Sequence, residues 1–89
     1  MIYELEFTEK AMADIAFFKR TGNKALLKKI FILLDQILLT PYEGLGKPEP
    51  LKHEYLGYWS RRINREHRII YKIHNNKVII IFSSKGHYD

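Results

Sequence analysis

Cysteine is absent from the 89 residues, which excludes a disulfide framework and any thiolate metal site. Long apolar runs are missing too. Ile30 to Leu34 and Val78 to Phe82 are the sort of run the chain has, far short of the roughly 20 residues a membrane-spanning helix requires. The opening residues, Met1-Ile2-Tyr3-Glu4-Leu5-Glu6, contain no basic stretch followed by an apolar one. No secretory signal is therefore expected, and a cytoplasmic protein without a membrane partner is. Proline is scarce, and all three prolines fall between residues 41 and 50. There is no phosphate loop, no dinucleotide fingerprint and no histidine pair at zinc-helix spacing. Ser60, Ser83 and Ser84 lack a nucleophile-elbow sequence. Serine hydrolysis, nucleotide cofactors and metal catalysis are thus left without a motif, and no cofactor is expected.

What is present is a balance typical of a small folded domain, 46% hydrophobic and 28% charged, with one domain over residues 1–89. The net charge of +5 is segregated. Residues 1–46 carry six basic and six acidic side chains, whereas residues 47–89 carry nine basic and four acidic. All four histidines, at 53, 67, 74 and 87, fall in that second half. Such a field favours a polyanionic partner, nucleic acid above all, although a basic surface that merely aids solubility reads the same way.

Ile2 to Phe7 alternates as a strand does. Thr8 suits a helix N-cap, Glu9 suits the first turn, and Ala11, Ile15 and Phe18 form an apolar stripe that Thr21-Gly22-Asn23 interrupts. A second helix is expected over 24–39, with Leu27, Ile30, Phe31, Leu34, Ile37 and Leu38 on its core face. Thr40-Pro41 ends it. Residues 41–50 read as an irregular crossover. Three strand-like runs follow, Gly57–Ile63, His67–Ile73 and Lys77–Ser83, with Asn75-Asn76 as a tight turn. Val78 to Phe82 is apolar throughout, as in a central strand covered on both faces. The expected fold is α+β: an N-terminal strand, a two-helix hairpin, then an antiparallel meander.

The basic half holds the residue types that RNA cleavage by side chains alone needs. These are a base for the ribose 2′-hydroxyl, an acid for the departing 5′-oxygen, and cations for the charge on phosphorus. Glu49, His87, Arg61, Arg62, Arg65 and Arg68 are of those types, with Lys47 and Lys52 nearby. Composition alone does not choose among them.

The run Glu43-Gly44-Leu45-Gly46-Lys47-Pro48-Glu49-Pro50-Leu51-Lys52-His53 closely resembles a loop of the YoeB toxins, within the RelE/YoeB toxin–antitoxin superfamily. The match continues through Gly57-Tyr58-Trp59-Ser60-Arg61-Arg62-Ile63, Glu66-His67-Arg68-Ile69-Ile70-Tyr71 and the terminal His87-Tyr88. Element order matches along the whole chain. The resemblance implies a RelE-like, microbial-ribonuclease-like fold and cleavage of mRNA in the ribosomal A site without metal, so that translation stops. It implies Glu49 as general base, His87 as general acid, and Arg68, assisted by Arg62, as the cations that stabilise the phosphorane. Lys52 and Tyr88 would position RNA, and Lys47 and Arg61 are further candidate RNA or phosphate contacts by their charge. It also implies a cognate antitoxin of the YefM/Phd-like kind, the ribosome and mRNA as partners, and homodimerisation.

Two other readings stand beside this one. The chain could be a non-catalytic RNA- or ribosome-binding module, or a toxin of the same fold with another target. Glu49 between two prolines also reads as a solvated carboxylate paired with Lys47. Arg61 and Arg62 alternate across a strand, so only one of them shares a face with Arg68. An odd-length connection selects Arg62 and a two-residue Asn64-Arg65 turn selects Arg61. Gly86 and Asp89 flank the His-Tyr pair, adding backbone freedom and negative charge beside His87.

Overall fold

Alternation in the first residues produces strand β1, Glu4–Phe7, with Leu5 and Phe7 against the core and Glu4 and Glu6 in water. These and the following details come from a computed structural model, which describes residues 3–83. Thr8 caps helix α1, Glu9–Arg20: its Oγ1 accepts the Ala11 amide at 3.1 Å. The same hydroxyl donates to the Ile80 carbonyl at 3.2 Å, which pins the helix start to the last strand. Gly22, at φ 70°, reverses the chain after α1, a conformation free of steric cost only for glycine. Asn23 then caps helix α2, Lys24–Leu39, accepting the Leu26 amide at 3.2 Å.

The core stripe of α2 is Leu26, Ile30, Leu33, Leu34 and Ile37, with Leu27 and Leu38 at its margins. Phe31, expected inside, is 48% exposed. The stripe is rotated because α2 must meet α1 and the sheet together. That takes in Leu26 and Leu33 and turns Phe31 outward.

Four further strands follow: β2, Glu49–Pro50; β3, Trp59–Arg62; β4, Arg68–His74; and β5, Lys77–Ser83. The sheet order is β1-β5-β4-β3-β2. The meander β3 to β5 is antiparallel as expected, β2 extends it antiparallel to β3, and β1 joins β5 in parallel. The two-helix connection between β1 and the meander provides the long crossover that a parallel pair needs. Strand β2 was not foreseen. It is two residues long and includes Pro50, and an edge strand is where proline is tolerated. Residues 53–55, His53–Tyr55, add a single 3-10 turn between β2 and β3. Asn75 and Asn76 form the β4–β5 turn with φ 49° and 63°, as asparagine permits.

Both helices cover one face of the sheet. Ala11, Phe18, Leu26, Ile30 and Ile37 pack there with Ile69, Tyr71, Val78 and Ile80. Strand β5 is central, between β1 and β4. Its second face is covered only in part: Val78 and Ile80 are fully buried, whereas Ile79 and Ile81 are half-buried. Among the described residues no helix is long and apolar enough to cross a membrane.

Candidate functional site

The sheet face away from the helices gathers several charged residues of the basic half into cross-strand rows. Arg62 of β3 lies directly opposite Arg68 of β4. The next row runs Glu49, Ser60, Ile70 and Ile81 across four strands. One step further, Lys72 holds its ammonium 5.2 Å from the centre of the Tyr58 ring. Side chains directly opposite one another share a face, so Glu49, Arg62 and Arg68 look out from one surface.

The Asn64 side chain sets this register. Its Oδ1 accepts the Glu66 amide at 2.9 Å and the His67 amide at 2.8 Å. The Ile63 amide donates to the His67 carbonyl at 2.9 Å. The connection, residues 63–67, is therefore odd in length, and Arg62 is the arginine that faces Arg68. An Asx turn at Asn64 was a legible signal for this outcome. His67 belongs to the turn, its ring edge-on to Phe18 with centroids 5.4 Å apart.

Arg61 is corrected by the same register. It was a candidate phosphate contact, yet it lies on the helix face and is 0% exposed. Its Nε donates to the Tyr71 hydroxyl at 3.2 Å, Nη1 to the Leu45 carbonyl at 3.0 Å, and Nη2 to the Glu43 carbonyl at 2.7 Å and to the Thr40 carbonyl. The Tyr71 hydroxyl in turn donates to the Pro41 carbonyl. This guanidinium is surrounded by carbonyl oxygens of the crossover loop and clamps that loop onto the sheet. Burial pushes the Tyr71 phenol above its usual value, and the neighbouring Arg61 offsets part of that rise.

The clamp bears on Glu49 because the loop leads straight into β2. Gly46 fits against the inner strand so tightly that a Cβ there would meet the Arg62 carbonyl at 3.0 Å and Arg61 Cβ at 3.2 Å. Its carbonyl accepts the Arg62 amide at 2.7 Å. Consecutive residues of β3 thus do separate work, Arg61 gripping the loop from within and Arg62 presenting charge outside.

Glu49 is exposed and stands in a strand rather than a free loop. The ion pairs within 4.0 Å among the described residues are Lys10–Asp14 and Lys77–Glu6, so Glu49 does not pair with Lys47. Arg62 and Arg68 likewise have no carboxylate partner among the described residues. Two like charges directly opposite in a ladder repel, and an anion between them would relieve the repulsion. Lys47, at φ 50°, and Lys52 are exposed on either side of β2. Ser60, not singled out in the sequence, is fully buried in the Glu49 row. His87 and Tyr88 lie outside the described residues, as do Gly86 and Asp89. Ser83, the last described residue, pairs with Arg68.

Comparison with known proteins finds relatives of the chain as a whole. Residues 7–88 match the family described as YoeB-like toxin of bacterial type II toxin–antitoxin system. A protein named Toxin YoeB from Synechocystis sp. is 46% identical over 85 residues, covering 96% of each chain. A YoeB dimer structure from Staphylococcus aureus is similar at TM-score 0.85 and 40% identity, covering 99% of this chain and 100% of that one. A YoeB–YefM complex from the same organism is similar at TM-score 0.83 and 42% identity, with the same coverage.

Proposed function

The chain belongs to the YoeB-like toxins of bacterial type II toxin–antitoxin systems, and we propose that it is a ribosome-dependent endoribonuclease that cuts mRNA in the A site. The observation that carries the proposal is the Arg62–Arg68 couple, without a carboxylate partner among the described residues, and Glu49 on the same face. Together they make an anion site with a carboxylate at its edge.

In this reading Glu49 takes the proton from the ribose 2′-hydroxyl as its oxygen attacks the adjacent phosphorus. Arg68 and Arg62 hold the equatorial oxygens as negative charge grows on them. The bond from phosphorus to the 5′-oxygen breaks, and His87 supplies the proton to that oxygen. The products are a 2′,3′-cyclic phosphate and a 5′-hydroxyl end. Acid, base and cations are all side chains, so no metal has a step to perform. Lys47, Lys52 and Tyr88 position the RNA. His87 follows Ser83, the partner of Arg68, by four residues in the sequence.

A YefM/Phd-like antitoxin, the ribosome with its mRNA, and a second copy of the chain are the proposed partners, and the cytoplasm is the proposed location. The solved YoeB–YefM complex and YoeB dimer of Staphylococcus aureus support the antitoxin and the homodimer.

The test is mRNA cleavage in a translating extract. Wild-type protein should cut within the A-site codon, and Glu49→Ala or His87→Ala should each lower the rate by roughly 10²–10⁴-fold, as for loss of an acid or base. Undiminished cutting by both variants would refute the assigned roles. Ribosome binding without cutting by the wild type would point to a binding module, and translation arrest with intact mRNA to a different target.

A further inference from the structure

Among the described residues, Ser60 Oγ is the buried side-chain polar atom without a hydrogen-bond partner. Ser60 is 0% exposed. A buried hydroxyl with nothing to bond is costly, whereas alanine at the same place would incur no such cost. Serine is also a weaker strand former than its β-branched alternatives. An orphaned group of this kind in a native fold calls for a functional explanation.

Its position supplies one. Ser60 stands second in the Glu49 row, directly across the β2–β3 ladder from Glu49. Opposite residues in an antiparallel pair have Cβ atoms about 4.5–5.5 Å apart, within reach of a hydroxyl-to-carboxylate bond after rotation about side-chain torsions. Glu49 itself is exposed and has no cation within 4.0 Å among the described residues. A free glutamate explores many rotamers, and a base that must meet one particular hydroxyl gains from being held in one of them.

We propose that Ser60 is a positioning residue for Glu49. Its hydroxyl donates to one carboxylate oxygen once RNA displaces water from the surface, leaving the other oxygen aimed at the 2′-hydroxyl. The inference rests on the reading of Glu49 as the general base. Ser60 touches no substrate atom and acts only through Glu49.

The experiment compares four proteins in the A-site cleavage assay: wild type, Ser60→Ala, Glu49→Ala and the double variant. Ser60→Ala removes one oxygen from a buried site, and a melting temperature at or above that of wild type establishes that it folds. A hydrogen bond to a charged group corresponds to a loss in kcat of roughly 10–100-fold. Ribosome KM should not change. In the Glu49→Ala background the same substitution should cost nothing further, the non-additivity expected of residues acting as a unit. A Ser60→Ala protein that cuts at the wild-type rate, or an equal loss in both backgrounds, overturns the proposal while leaving Glu49 in place. A wild type indifferent to Glu49→Ala, or without cleavage, overturns both readings.

Discussion

If Arg62 and Arg68 hold the reacting phosphate as proposed, they set stability against function at the scale of single residues. They face each other across a ladder with no carboxylate within 4.0 Å of either among the described residues, an arrangement that costs about 0.2–1 kcal/mol in the free protein. Replacing Arg62 with alanine should therefore leave unfolding stability unchanged or raise it by up to about 1 kcal/mol, and added salt should narrow the difference by screening. The same substitution should lower mRNA cleavage. Urea unfolding at two salt concentrations, beside the cleavage assay, checks the opposed signs; parallel losses in both would mean that Arg62 is structural.

Tyr71 is a residue whose ionisation should report on folding. Burial raises its folded-state pKa above the unfolded value near 10. Between those two values the native state keeps a proton that the unfolded chain releases. The stabilisation is thus complete below pH 10 and declines as pH rises through the raised pKa. Tyr71→Phe has no phenol to ionise. It should be less stable than wild type at neutral pH, where the bonds to Pro41 and Arg61 are lost. The gap should then shrink above pH 10, which urea midpoints across that range would show.

At the scale of elements, β3 and the loop before β2 form one mechanical unit. Helix α2 ends at Thr40, whose carbonyl, with those of Glu43 and Leu45, is held by Arg61. Loop carbonyls of this kind need partners when covered, and a guanidinium with five donors can serve several at once. This arrangement explains why Arg61 was misread. An arginine in a basic segment beside another arginine looks like a phosphate contact, and alternation said only that the two differ in face. The helices were more legible. Thr8 and Gly22 act within a few residues of themselves, so their roles followed from local chemistry, whereas Asn23, read only as part of the break after α1, proved to be the N-cap of α2. The inner face of α2 was less so, because Phe31 and Leu33 are equally apolar and only the positions of α1 and the sheet choose between them.

For the molecule as a whole, charge and topology combine. The excess of positive charge lies in residues 47–89, and the antiparallel order of β2, β3 and β4 spreads part of it over one face. Association with ribosomes should weaken as salt rises, since phosphate contacts release counterions. Lys47→Ala and Lys52→Ala should each reduce the slope of log affinity against log salt by about 1. Titrating ribosome binding at several salt concentrations measures this, and unchanged slopes would remove both lysines from the RNA-contact set.

The sequence by itself determined the α+β class, both helices and the Thr8 cap of the first, the last three strands and the family, because each rests on local pattern or on a long specific match. Glu49, Arg68 and Arg62 were nameable from it as well. Only the tertiary structure decided that Arg62 faces outward while Arg61 is buried, that Glu49 sits in an edge strand, and that β1 pairs in parallel with β5. It also singled out Ser60 as a buried hydroxyl left unbonded among the described residues. Each of these depends on which strands become neighbours and in what register. That is set by the packing of residues far apart in the chain, not by any short run within it.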